Sequence, residues 1–159
     1  PILIFGVLFH FVMGFVLELK NSKSRGVKYA NYKGSTNASW MSRNMIYSGI
    51  VILSFLGLHF YDFWVPEMNY KYVEVLPLNP DRYFEELVHK FESPVRVGIY
   101  ALSFVFLSLH LLHGFASSFQ SVGINNKYSK ALKSFTTAFS LVVPLGFVFI
   151  ALFHHLTAF

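Results

Sequence analysis

Four long runs without a charged side chain constrain this chain more than any other feature. Counting His as neutral, they cover residues 1–17, 44–61, 97–126 and 134–159. A bilayer core about 30 Å thick takes roughly 20 helical residues to cross, so each run reaches or approaches a full span. Their hydrophobicity is continuous rather than alternating, which excludes the strands of a membrane barrel. The sequence therefore predicts an all-α integral membrane protein, a bundle with spanning helices at about 1–18, 45–64, 97–118 and 135–157.

The charged residues predict how the bundle is oriented. Loops 19–44 and 119–134 carry basic but no acidic residues, whereas loop 65–96 has both kinds. Lys and Arg collect on the cytoplasmic side, so both basic loops of this multi-pass protein are expected there. Topology alone accounts for the basic loops as well as a docking surface does. Charges lying flat against membrane lipid argue against a nucleic-acid partner.

Several kinds of chemistry are excluded by what the sequence lacks. The chain has no Cys, which excludes disulfides and thiolate-held metal clusters. It also has no Gly-rich phosphate loop and no nucleophile elbow. In the loop 65–96, the stretch "DRYFEELVHKF" predicts a short surface helix with Asp81 as its N-cap and a solvated His89.

A histidine followed by a glycine four residues later occurs twice inside these runs, as His10 with Gly14 and as His110 with Gly114. An ionisable residue within a membrane span is costly and by default marks a function. At about 1.5 Å per residue, both histidines lie roughly 12 Å from the inner ends of two parallel helices. His59 lies higher, roughly 21 Å from the inner end of its helix.

Two imidazoles at one depth suit the axial positions of a haem iron. The glycine lies on the same helix face one turn away, where its missing side chain leaves room for the flat macrocycle. Because His110 has a glycine four residues later and His113 does not, the spacing favours His110 as the ligand. We interpret His113 as a hydrogen-bonding neighbour of the haem. The alternative is that each histidine is a packing residue and each glycine a helix-contact residue.

The chain resembles the di-haem cytochrome b membrane anchor of bacterial succinate dehydrogenases and fumarate reductases. The resemblance rests on "FHFVMGFVLELKNSKSRGVKYANYKGSTNASWMSRNM", on "GLHFYDFW" and above all on "LHLLHGFASSFQSVGINNKY". It implies that residues 1–159 are one transmembrane cytochrome b domain that lacks its native N-terminal helix, one of five in the intact protein.

The resemblance also implies the ligands. His10 and His110 match the axial ligands of the inner haem b, and His59 matches one ligand of the outer haem b. The second outer ligand belongs to the family's first helix. Two haems are thus expected in the intact protein, with both ligands of only one haem in this chain.

The implied function is electron transfer by a membrane anchor without a dicarboxylate active site. A flavoprotein subunit would oxidise succinate, and an iron–sulfur subunit would pass electrons through the haems to menaquinone or another quinone. Arg43 is then a candidate contact for a haem propionate or for the iron–sulfur subunit, although an arginine at a helix end also snorkels without any such role.

Two residues qualify the resemblance. Some fumarate reductases of this group have a Glu of a proton path where this chain has Ser108, so that path is not expected here. Asp62, one turn from His59, is interpreted as an interfacial acid beside water, with proton transfer to quinone as the alternative. The competing functions are the cytochrome b subunit of another respiratory dehydrogenase, a His-containing membrane transporter and a haem-free structural anchor.

Overall fold

The computed structural model describes residues 2–24, 44–124 and 128–157 of the chain. This described part is helical and without strands, and four of its helices are long and apolar enough to cross a membrane. The predicted fold class, an all-α membrane helix bundle, is therefore confirmed. The chain divides into two compact units, residues 1–50 and residues 51–159, and each is described by itself. Arg43 lies outside the described residues.

The first helix, α1 (Ile2–Ser24), is longer than the predicted span 1–18. It continues past Glu18 because the backbone hydrogen bonds of a helix do not stop where the apolar run stops. Lys23 lies in its last turn, where the helix dipole favours a cation. Apolar side chains such as Phe5 and Phe9 are exposed along it. A helix that is apolar all round needs lipid or other helices as its surroundings.

The second helix, α2 (Met45–His59), leads into further helical backbone rather than into a loop. A π-helical turn (Phe60–Trp64), the short helix α3 (Val65–Met68) and a second π-helical turn (Asn69–Val73) follow without a break. The predicted end at about residue 64 is thus too early. Pro66 lies in the first turn of α3 and does not end the helical backbone, which continues to Val73.

The last two long helices, α5 (Pro94–Ser121) and α6 (Ser129–Thr157), pack against each other. The buried residues of α6 are spaced so that they share one face, and they are small: Thr136, Ser140, Pro144 and Ala151. Small side chains let two helix backbones approach closely, which is how helices associate where lipid removes the hydrophobic driving force.

The predicted surface helix is present as α4 (Arg82–Phe91), which packs on α5 and α6. Asp81 takes the predicted N-cap position, although its side chain makes no capping hydrogen bond. Its backbone is already helical, with φ −82° and ψ −18°, whereas a capping side chain requires an extended residue. His89 is exposed, as expected, with Nδ1 3.2 Å from an oxygen of Glu92.

The apolar core of the second unit lies where α4, α5 and α6 meet. Its buried members are Phe91, Val97, Tyr100, Phe104 and Ala151. Three aromatic rings of this set contact one another edge to face, with the Tyr100 centroid 5.3 Å from that of Phe91 and 6.1 Å from that of Phe104. Phe55 and Leu58 near the end of α2 pack against this core.

Candidate functional site

The first predicted ligand, His10, lies on an exposed part of α1, and so does Gly14. Because α1 is an unbroken α-helix over both positions, the two residues share a face one turn apart. The His10 side chain and the open helix surface at Gly14 therefore lie next to each other on α1. Binding of a flat group against this face of α1 stays a prediction.

The second predicted ligand, His110, lies on α5 with His113 and Gly114 on the same helix face. All three are half-buried. The structure thus brings one copy of the H-x-x-x-G pattern onto α1 and the other onto α5, both in regular helix. His10 belongs to the first unit and His110 to the second, and their pairing on one iron stays a prediction.

The third predicted ligand, His59, is the last residue of α2 and is exposed. Two phenylalanine rings bracket it, because positions four residues away in either direction lie on the same side of the helix. The centroid of Phe55 is 5.8 Å and that of Phe63 is 5.2 Å from the imidazole centroid. Both rings also contact Tyr100 of α5. These contacts restrict where the imidazole can lie.

Asp62 is not the solvated acid that the sequence suggested. Its exposed fraction is 0%, and its Oδ2 lies 2.9 Å from Nε of Arg96. The hydroxyl of Tyr100 donates a second hydrogen bond of 3.0 Å to the same oxygen. The other oxygen, Oδ1, has no hydrogen-bond partner among the described residues. The interpretation of Asp62 as an acid beside water is therefore wrong, and the residue is a buried carboxylate held by α5.

The π-helical turn explains how Asp62 can be buried while His59, three residues earlier, is exposed. The N–H of Val65 bonds to the carbonyl of Phe60, five residues back, instead of the usual four. A π turn contains one residue more than an α turn, so the residues within it rotate away from the face that they would otherwise occupy. Such turns are rare in proteins, and those that do occur often lie at functional sites.

Sequence reasoning missed Arg96 and Tyr100, the two partners of Asp62. One signal was present, since Arg96 is the last charge before the third uncharged run and Asp62 the first charge after the second. Opposite charges at neighbouring ends of two adjacent spans on one side of a membrane are candidates for a pair.

A charged cluster ties α4 to the end of the second span. Arg82 is 9% exposed and forms ion pairs with Glu67 and Glu86, and Lys71 also pairs with Glu67. The Tyr83 hydroxyl donates a hydrogen bond of 2.9 Å to Glu67. Burial lowers the pKa of the Arg82 guanidinium, but its contacts with Glu86 and Glu67 outweigh that effect and hold the pKa above its usual value. The guanidinium therefore stays charged at every physiological pH.

The two histidines near the end of α6 have a structural explanation that the sequence did not supply. Nδ1 of His155 lies 2.8 Å from the carbonyl oxygen of Phe91, the last residue of α4. Carbonyls in the last turn of a helix have no partner within the helix, so a ring N–H that donates to one of them completes its end. The ring of His154 contacts Phe84 at 5.6 Å. Both histidines therefore hold α4 against α6.

A haem and a bare metal ion require different donor sets. Among the described residues, no three or more His, Asp or Glu side chains cluster as a bare ion would require. A haem iron needs only two axial imidazoles, and its ring needs apolar surroundings. Histidines on apolar helices, with a glycine one turn away, are the residue types that a haem requires.

Comparison with protein families, with curated proteins and with solved structures found no match to this chain.

Proposed function

We propose that this chain is the cytochrome b membrane anchor of a succinate:quinone oxidoreductase. The observation that carries the proposal is the repeated H-x-x-x-G pattern, found once on α1 and once on α5, two helices long enough to span a membrane. The resemblance of "LHLLHGFASSFQSVGINNKY" to the family's membrane anchor names the enzyme class. Neither the histidines nor the helices alone would do so.

In this proposal His10 and His110 are the axial ligands of the inner haem b. Gly14 and Gly114 keep the helix surface beside each ligand flat, and His113 lies next to the haem edge. Bound haem b supplies a one-electron carrier, whose potential depends on its ligands and their surroundings. The chain itself contributes imidazole ligands, apolar helices that exclude water, and a fixed spacing between donor and acceptor.

His59 is proposed as one ligand of the outer haem b in the intact protein. Phe55 and Phe63, whose centroids lie 5.8 Å and 5.2 Å from that of the imidazole, limit its motion. A ligand whose side chain is already restrained loses less entropy when it binds iron. Its second axial partner is expected on the further helix that the family has.

The proposed partners follow from the same assignment. An iron–sulfur subunit and a flavoprotein subunit would bind on the cytoplasmic side, against loops 19–44 and 119–134, whose positive charge suits an acidic docking face. Arg43 is a candidate contact for the iron–sulfur subunit or for a haem propionate. The electron acceptor would be menaquinone or another quinone within the membrane of a bacterial cell.

The experiment that tests the ligand assignment is a haem count on the full-length protein and its histidine variants. Reduced-minus-oxidised spectra would be recorded for His10→Ala, His110→Ala and His113→Ala after expression with ample haem. We expect the first two variants to lose the same inner haem and the third to retain both haems. His89→Ala is the matched control, because that histidine is exposed on α4, and it should behave as wild type.

Two results would overturn the assignment. If His113→Ala lost the inner haem and His110→Ala retained it, the glycine spacing would have identified the wrong ligand. If the wild-type protein were colourless, the anchor proposal would fail, and a transporter whose histidines carry protons would take its place.

A further inference from the structure

We propose that Asp62 and Arg96 form a buried charge pair that positions His59, and that their opposite charges balance each other at the haem that His59 binds. This inference rests on the proposed function, because it concerns the outer haem. Asp62 and Arg96 would touch neither iron nor quinone. They are positioning residues, acting through His59 and through the electric field at its ring.

The Asp62–Arg96 pair lies where a single unpaired charge would be unstable. Asp62 is 0% exposed, and a carboxylate so deeply buried is stable only with hydrogen bonds and an opposite charge. Arg96 supplies the charge at 2.9 Å, and Tyr100 supplies a hydroxyl at 3.0 Å. The side chain of Arg96 is 29% exposed, so its remaining N–H groups can be hydrated at the membrane surface.

The pair determines the rotation of the helix that carries His59. Asp62 lies within the π-helical turn that begins directly after His59, and α5 holds its side chain. A turn with an extra residue costs helix hydrogen-bond geometry, so it persists only where other contacts stabilise it. The bonds of Asp62 to Arg96 and Tyr100 are such contacts. They fix the face on which His59 leaves the helix.

Ring contacts connect the same cluster to His59 from the side. Phe55 and Phe63 each contact the imidazole and also contact Tyr100, at centroid distances of 5.2 Å and 6.5 Å. Tyr100 in turn donates to Asp62. The imidazole is therefore joined to the charge pair through the helix backbone and through two aromatic rings.

The charges also act on the ring across space. Asp62 is three residues from His59 in the chain, so its charge acts electrostatically on the imidazole, and its Oδ1 has no hydrogen-bond partner among the described residues. In a medium of low dielectric such an interaction is strong. A negative charge near a haem favours the oxidised iron and lowers the potential, and a positive charge raises it. Asp62 and Arg96 thus act in opposite directions and largely cancel.

The test is a redox titration of both haems in the full-length protein within its complex. Asp62→Asn keeps the size and the hydrogen-bond acceptor but removes the negative charge, and we expect the potential of the outer haem to rise. Arg96→Gln removes the positive charge, and we expect that potential to fall. In the double variant the two shifts should cancel, and the inner haem should keep its potential throughout.

Tyr100→Phe is the matched structural control, because it removes a hydrogen bond of Asp62 without changing any charge. It should shift the potential of the outer haem less than either charge variant. Shifts of the same sign in both charge variants, or no shift in either, would overturn the inference. If a charge variant lost the outer haem, recovery of that haem in the double variant would support the pair, and continued loss would refute it.

These results are distinct from failure of the proposed function. A wild-type protein without haem would reject the anchor and this inference together. A wild-type protein with two haems, whose outer potential did not respond to Asp62 and Arg96, would reject the inference alone.

Discussion

The hydroxyl of Ser108 on α5 donates a hydrogen bond of 2.8 Å to the carbonyl oxygen of Ser140 on α6. Ser140 is four residues before Pro144, which has no N–H to complete the helical bond to that carbonyl. An unpaired carbonyl within a membrane span is costly, so a hydroxyl from the neighbouring helix is a stabilising replacement. Ser108 therefore has a structural role in joining α5 to α6.

Replacing Ser108 by Ala should destabilise the packing of α5 on α6. The lost interhelical hydrogen bond is expected to cost about 1 kcal/mol in the free energy of unfolding. Unfolding of the detergent-solubilised protein by a denaturing detergent would measure it. Ser108→Thr, which keeps the hydroxyl, is the control and should lose little.

The link to Pro144 predicts a coupling between the two positions. Pro144→Ala restores an N–H that can bond to the carbonyl of Ser140, so Ser108→Ala should cost close to nothing in that background. A double-mutant cycle removes the separate cost of the smaller side chain at position 144. Equal effects of Ser108→Ala in both backgrounds would mean that the hydroxyl does not compensate for the proline.

Arg82 should control how firmly α4 is attached. Its ion pairs with Glu67 and Glu86 join α4 to the end of the second span. Arg82→Leu should make the backbone of residues 82–91 exchange its amide hydrogens severalfold faster, while exchange in α5 stays as in wild type. Lys90→Leu is a control on the same helix. Unchanged exchange in Arg82→Leu would show that these ion pairs do not hold α4.

His155 should matter more than His154 for the same helix. Removing the ring of His155 leaves the carbonyl of Phe91 without that donor, and an unsatisfied buried carbonyl costs about 1–3 kcal/mol. His154→Ala removes only a ring contact with Phe84, 5.6 Å between centroids. Thermal unfolding should therefore show a larger loss for His155→Ala, with partial recovery in His155→Gln. The opposite order would contradict the assigned hydrogen bond.

Much of the fold was predictable, because the uncharged runs determine where helices can cross a membrane. All four predicted spans are helical. The ends of the helices were less predictable, because a helix continues into charged residues where side chains or neighbouring elements stabilise those residues. The stretch after Trp64 shows this: Pro66 and Glu67 indicated a loop, but the backbone stays helical to Val73.

The site was predictable in part. Spacing placed His10 and Gly14, and likewise His110 and Gly114, on common helix faces, and the regular helices agree. Burial of Asp62 was not predictable from its depth alone. It depends on Arg96, which is distant in sequence, and on a π-helical turn for which no sequence pattern was evident.

We propose that electrons from succinate reach haem held by this chain and leave it to quinone. The most direct measurement adds succinate to the intact, oxidised complex and follows the haem α-band, then adds a soluble menaquinone analogue. We expect succinate to produce the reduced band, the quinone to remove it, and His10→Ala and His110→Ala to weaken both responses. A band that dithionite produces but succinate does not, in a complex with an active flavoprotein, would contradict it.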